Sequence, residues 1–165
     1  MSSDLPDWSD LRPGDCLGYF SGGIFDITTA IKTWCWLAHV EIYAGAGMSV
    51  ASRNGEGVNR YKLRTDGLAV IRRPIGILDL EAAHYWFENT ARGQKYDWKG
   101  LLCFTLAVKQ GSLDCMFCSE FMTRWYRRAN FQPFDPDWDA DKVPPSFCLV
   151  SGCFETIWRK PGWNP

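Results

Sequence analysis

The chain has little surplus charge of either sign, with a formal net charge of −1 at pH 7. Phosphate backbones select strongly basic faces, so no nucleic-acid partner is expected. Long apolar runs are also missing. Segments such as "GLLCFTLAV" fall far below the ~18–20 residues that cross a bilayer, so no stable membrane insertion is expected. The N-terminus "MSSDLPDWSD" is acidic and lacks an apolar stretch. It reads as carrying no secretory signal, and the expected location is cytoplasmic, in a host cell if the protein is phage-encoded. There is no internal repeat and no low-complexity linker, so one domain over residues 1–165 is expected. Histidine is scarce as well: His39 and His84 are the only two.

Hydrophobic residues make up 46% of the chain and charged residues 22%, a balance that suits a globular core. Nine tryptophans add large apolar surfaces for a core or for the walls of a groove. Seven cysteines, an odd number with no export signal, read as mostly reduced thiols, with a Cys148–Cys153 disulfide left open.

Pattern along the chain divides into two halves. "LRPGDCLGYF" reads as a turn at Pro13-Gly14 feeding a strand, and "GGIFDITTAIKTW" has helical spacing. "LAHVEIYAGAGMSVASRN" reads as two strands joined by a Gly-rich hairpin. "GVNRYKL" and "LAVIRRPI" continue an antiparallel sheet, with turns at "NGEG" and "TDG". Helical periods follow: "DLEAAHYWFENTARG" with Asp79 as N-cap, then "DWKGLLCFTLAVKQG", then "CSEFMTRWYRRAN". The segment "FQPFDPDWDADKVPPSF" reads as irregular. The fold class is therefore α+β, an antiparallel meander sheet packed against helices.

Cys115 and Cys118 form a CxxC. With Cys148 and Cys153 they could supply four thiolates to zinc, but the "LVSG" spacer is wide for a knuckle and an amphipathic helix follows Cys118. A thioredoxin-like pair needs a preceding βαβ strand, which is absent here. The bland alternative is a buried structural thiol. Cys118 stands out because it opens a helix with an apolar face of Phe121, Met122, Trp125 and Ala129, and free N–H groups at a helix start favour a thiolate. Cys115 reads as a core thiol or one on the approach to that helix.

On "LAHVEIYA" alternate residues share a face. Ala38, Val40, Ile42 and Ala44 form an apolar face; Leu37, His39, Glu41 and Tyr43 form the other. A tight turn around Gly45–Gly47 would put Ser52 across from His39. Glu41 and Ser52 are thus both candidates to orient the imidazole, and Glu41 is the stronger because it is charged. His84, inside a helical pattern, reads as structural.

The segments "LRPGDCLGYF", "AHVEIYAGAG", "GVNRYKL", "GQKYDWKGLL" and "MFCSEF", in that order, resemble the permuted papain-like cysteine hydrolases of the NlpC type. The likeness is to their YiiX/YebB-like branch, distant cousins of lecithin retinol acyltransferase. The resemblance implies a circularly permuted papain-like fold with Cys118 as nucleophile, His39 as base and a third polar residue that orients it. Relatives carry that third residue in the region matching "SVASRN"; here the role passes to Glu41, with Ser52 in reserve. Tyr96 matches a recurring family position and is expected to bind substrate, alongside Ser52 and Tyr43. Asp97 is expected to cap the next helix.

The expected chemistry is acyl transfer through a thioester, with a peptide or other amide as partner, cell-wall peptides included, and no cofactor or metal. Two alternatives are a lipid acyltransferase or thioesterase with an apolar tunnel built from "FTLAV" and "EFMTRWY", and a catalytically silent viral or phage binding module. Oligomeric state is not legible.

Overall fold

The computed structural model describes residues 5–20, 37–97 and 115–163. The helices expected over "GGIFDITTAIKTW" and "DWKGLLCFTLAVKQG" lie outside these residues, and so does the helix that Asp97 was expected to cap. Six strands make one antiparallel sheet: β1 (Cys16–Phe20), β2 (Leu37–Gly45), β3 (Met48–Arg53), β4 (Gly57–Lys62), β5 (Leu68–Pro74) and β8 (Phe154–Arg159). A two-stranded parallel pair joins β6 (Lys95–Tyr96) to β7 (Cys115–Met116). The described α-helices are α1 (Leu80–Trp86), which runs on as a π-helix over Phe87–Ala91, α2 (Cys118–Arg128) and α3 (Phe147–Val150). The likeness to an α+β fold is direct: an antiparallel sheet with α2 packed on its β2–β3 side.

The strand order is β4-β3-β2-β1-β5-β8. Only β1 to β4 run as a simple meander. β5 does not pair with β4, as a continued meander requires; it crosses to the far side of β1. β8 then forms the edge, a strand the sequence pattern did not reveal. Its burial alternates poorly, with Phe154 inside and Glu155 and Thr156 exposed, so period-2 patterning is weak there.

Local chemistry explains the elements that match expectation. Asp79 caps α1, accepting from the Ala82 N–H at 2.9 Å. The β2–β3 hairpin turns at Ala46 and Gly47, both with positive φ (52° and 70°), the conformation that suits the twist of a two-residue hairpin. Residues 131–146 are irregular apart from a short 3-10 turn at Ala140–Lys142.

Two apolar clusters cover the two faces of the sheet. The larger joins Val40, Ile42, Val50 and Val58 to Phe121, Met122, Trp125 and Tyr126 of α2. The smaller joins Leu17, Tyr19, Leu68 and Ile71, with Trp8, Tyr43 and Trp158 against it. The face bearing Glu41 is therefore not a solvated one: Glu41 is 0% exposed.

Two irregularities in β2 change the expected facing of side chains. Tyr19 pairs with His39 but Phe20 pairs with Leu37, leaving Ala38 as an extra residue. This bulge turns Leu37 into the helix-side cluster rather than onto the His39 face. Gly18 makes room for it, since a Cβ there would lie 2.8 Å from Leu37 Cδ1. The second shift leaves Ala44 extra, so Ile42 pairs with Val50 and Tyr43 with Ser49. That register is one residue away from the one expected, and a one-residue slip exchanges the faces of β3.

Candidate active site

The site is built from the bulged end of β2 and the first turn of α2. Cys118 is the first residue of α2, whose N-cap Phe117 supplies no side-chain cap bond, and the leading N–H groups of a helix have no intrahelical partner. Its thiol is buried and free, with Sγ 3.9 Å from the Ala38 carbonyl oxygen. The His39 imidazole also feels this thiol, which helps to raise its pKa. On its other side that imidazole meets Glu41, Nε2 to Oε1 at 3.2 Å. The structure thus brings together Cys118, His39 and Glu41, in that order.

Glu41 is enclosed by donors. Arg53 reaches it at two points, Nε to Oε1 at 2.9 Å and Nη2 to Oε2 at 3.0 Å. Ser49 donates its hydroxyl to Oε2 at 2.5 Å, and Arg64 Nε lies 3.3 Å from Oε1. Burial alone would push this carboxyl up, but the His39 contact, then Arg53 and Ser49, hold it down at about 2. Burial likewise pushes His39 down. Its hydrogen bonds and charge contacts with Cys118 and Glu41 outweigh that and raise it to about 9. Both shifts favour an imidazolium beside a carboxylate.

Other expected residues fall elsewhere. Ser52 does not face His39: the register carries it to the opposite face, where its buried hydroxyl donates to the Met116 carbonyl. It ties β3 to the backbone just before Cys118. Arg53 takes the place opposite His39 that the expected register assigned to Ser52, and Ser49, opposite Tyr43, shares its face. Tyr43 packs on the smaller cluster, and its hydroxyl accepts from the Gly47 N–H at 3.3 Å. Tyr96 is half-buried in β6, which pairs with β7 on the approach to α2. His84 is exposed on α1, with Arg60 Nη2 3.4 Å from its Nδ1. Cys115 belongs to β7 and Cys118 to α2, so the CxxC spans a strand and a helix. Cys148 and Cys153 are both free.

Sequence reasoning passed over Glu120, two residues beyond Cys118. It is 2% exposed, with Arg124 Nη2 at 2.7 Å and Nε at 3.1 Å from Oε1. Burial pushes it up to about 7, against the pull of Arg124 and with help from Asp141 and Asp97. An apolar helix pattern hides such a residue, since Glu at that spacing reads as the solvated face.

No protein-family model and no curated protein matches the chain. The fold is similar to the crystal structure of metalloprotein YiiX from Escherichia coli O157:H7, a DUF1105 protein, with a TM-score of 0.66 at 14% identity. The match covers 90% of this chain and 97% of that one, so the fold is YiiX-like. "Metalloprotein" describes that neighbour. Among the described residues here, no group of three His, Cys, Asp or Glu side chains is placed to hold a metal ion. Glu41 is engaged at both oxygens and flanked by two arginines, which opposes a further cation, so the described residues do not fit a metal centre. Among them, too, no helix is long and apolar enough to cross a membrane.

Proposed function

We propose that this chain is a thiol hydrolase of the permuted papain-like, NlpC type, acting on an amide or isopeptide bond. The observation that carries the reading is the imidazole of His39 3.2 Å from the buried Glu41 carboxylate, with the free thiol of Cys118 against the adjoining Ala38 carbonyl. Nε2 faces Glu41, which leaves Nδ1 to serve the thiol. Glu41 is a positioning residue: it fixes the ring's orientation and stabilises the imidazolium. Cys118 attacks the carbonyl carbon as a thiolate, while the N–H groups leading α2 stabilise the oxyanion. His39 then gives its proton to the departing amine as the C–N bond breaks and the thioester forms. Water adds to the thioester with His39 taking its proton, and the acid leaves as Cys118 is regenerated.

Lipid acyl transfer is less well supported on this fold. Phe121, Met122, Trp125 and Tyr126 of the segment expected to line a tunnel are filled into the core instead. Mass spectrometry of protein mixed with a chromogenic acyl ester and the matching anilide tests the reading. The expected result is one acyl adduct, on Cys118, lost in Cys118→Ala and formed at least tenfold more slowly in His39→Ala. Absence of any Cys118 adduct with both reagents contradicts it.

A further inference from the structure

Among the described residues, the site holds more positive charge than its own groups balance. Glu41 contributes one carboxylate, and His39, Arg53 and Arg64 all reach it. A thiolate at Cys118, which the hydrolase reading supplies, offsets one cation more. One positive charge then remains in the cluster around Glu41.

The two arginines are not equivalent. Arg53 is 19% exposed, commits Nε and Nη2 to Glu41, and lies over the Tyr61 ring at 4.0 Å. Arg64 is 41% exposed. Its Nε is enclosed and near Oε1 but has no aligned hydrogen-bond partner. Its guanidinium lies over the Tyr19 ring at 4.2 Å, and that ring is 6.1 Å from the His39 ring. The Tyr19 hydroxyl donates to the Arg64 carbonyl at 3.3 Å, which holds the backbone in place. Among the described residues nothing hydrogen-bonds the terminal nitrogens of Arg64. A planar fork with free donors, braced on an aromatic face, is suited to a carboxylate or a phosphate.

We propose that Arg64 is an anion-recognition residue of this site, so that the preferred substrate carries a carboxylate or phosphate close to the bond attacked by Cys118. The proposal rests on the hydrolase reading and deepens it by assigning the substrate's charge. Guanidinium and imidazole share the same Glu41 oxygen, so an anion on Arg64 lies next to the imidazole–carboxylate pair that serves Cys118.

Alkylation of Cys118 by iodoacetate and by iodoacetamide, at neutral pH and low salt, reads this charge directly. The reagents share a leaving group and differ in charge, so the ratio of their rates cancels changes in thiol reactivity. Arg64→Gln is expected to lower the iodoacetate-to-iodoacetamide ratio about three- to tenfold, the size of one nearby charge at intermediate dielectric. Arg64→Lys keeps the ratio within about twofold of the parent because the charge is retained. Arg92→Gln, an exposed arginine paired with Glu88, controls for net charge and leaves the ratio in place. An unchanged ratio in Arg64→Gln overturns the proposal. Failure of iodoacetamide to favour Cys118 over Cys153 overturns the hydrolase reading instead. Protection of Cys118 from iodoacetamide by phenyl phosphate or by N-acetylglycine separates the two anion sources. Stronger protection by one, lost in Arg64→Gln, identifies the source, and protection by neither overturns the proposal.

Discussion

Glu41 and Glu120 are both buried carboxyls near Cys118, one on the bulged strand and one in the first turn of α2. Burial pushes both toward the neutral form. They end on opposite sides of the ordinary glutamate value because their neighbours differ. Glu41 meets an imidazolium, two guanidinium groups and a hydroxyl, and is held at about 2. Among the described residues Glu120 has only Arg124 as a cationic partner, itself 40% exposed, and it shares its surroundings with Asp141 and Asp97, so it rises to about 7. Equal burial thus yields a fixed charge in one place and a titrating group in the other. The donors around Glu41 are what make it fit to orient His39.

The difference can be broken most severely at Glu41. Glu41→Gln leaves Arg53, Arg64 and His39 without their shared carboxylate, and is expected to cost about 3–5 kcal/mol at pH 7, the usual loss for one partner of a buried ion pair. Urea denaturation measures it. The pH dependence should be asymmetric as well. Glu41, lowered from 4.5 to about 2, contributes stability that is full above about pH 4.5 and fades as pH falls toward 2.

Glu120 should show the reverse sign. Its value is raised from 4.5 to about 7, so its penalty is absent below about pH 4.5, grows as pH rises to 7, and is constant above. Glu120→Gln removes that penalty. Relative to the parent, the variant should gain about 3 kcal/mol between pH 4.5 and 8, read from denaturation curves at each pH. A flat difference over that range would show that Glu120 is ionised throughout.

Smaller changes sharpen the picture. Ser49→Ala removes a donor to a buried charge and should cost about 2 kcal/mol, with the His39 titration shifted by NMR. Ser52→Ala removes a neutral bond to the Met116 carbonyl and should cost about 1 kcal/mol without moving the His39 titration. Reversal of that order would mean that Ser52, not Ser49, supports the imidazole.

These two serines also show where the sequence stops being legible. The strand alternation already places His39 and Glu41 on one face, and the helix pattern already opens α2 at Cys118. The fold class and the Asp79 cap follow from the same local rules. What local rules miss is register. The bulges at Ala38 and Ala44 carry no residue signature, yet they turn Leu37 inward and exchange Ser52 for Ser49 and Arg53. Arg64 lies in the connection between β4 and β5, whose course depends on β5 crossing to β1. Long-range pairing decides that crossing, and no short window contains it.

Competition between thiols in one molecule tests the central claim most directly. By exposure alone, half-exposed Cys153 should react before Cys118, which is 3% exposed. If His39 and Glu41 activate Cys118, sub-stoichiometric iodoacetamide at pH 7 will label Cys118 first, and His39→Ala will reverse the order. Labelling of Cys153 before Cys118 in the parent protein would contradict an activated thiol at this site.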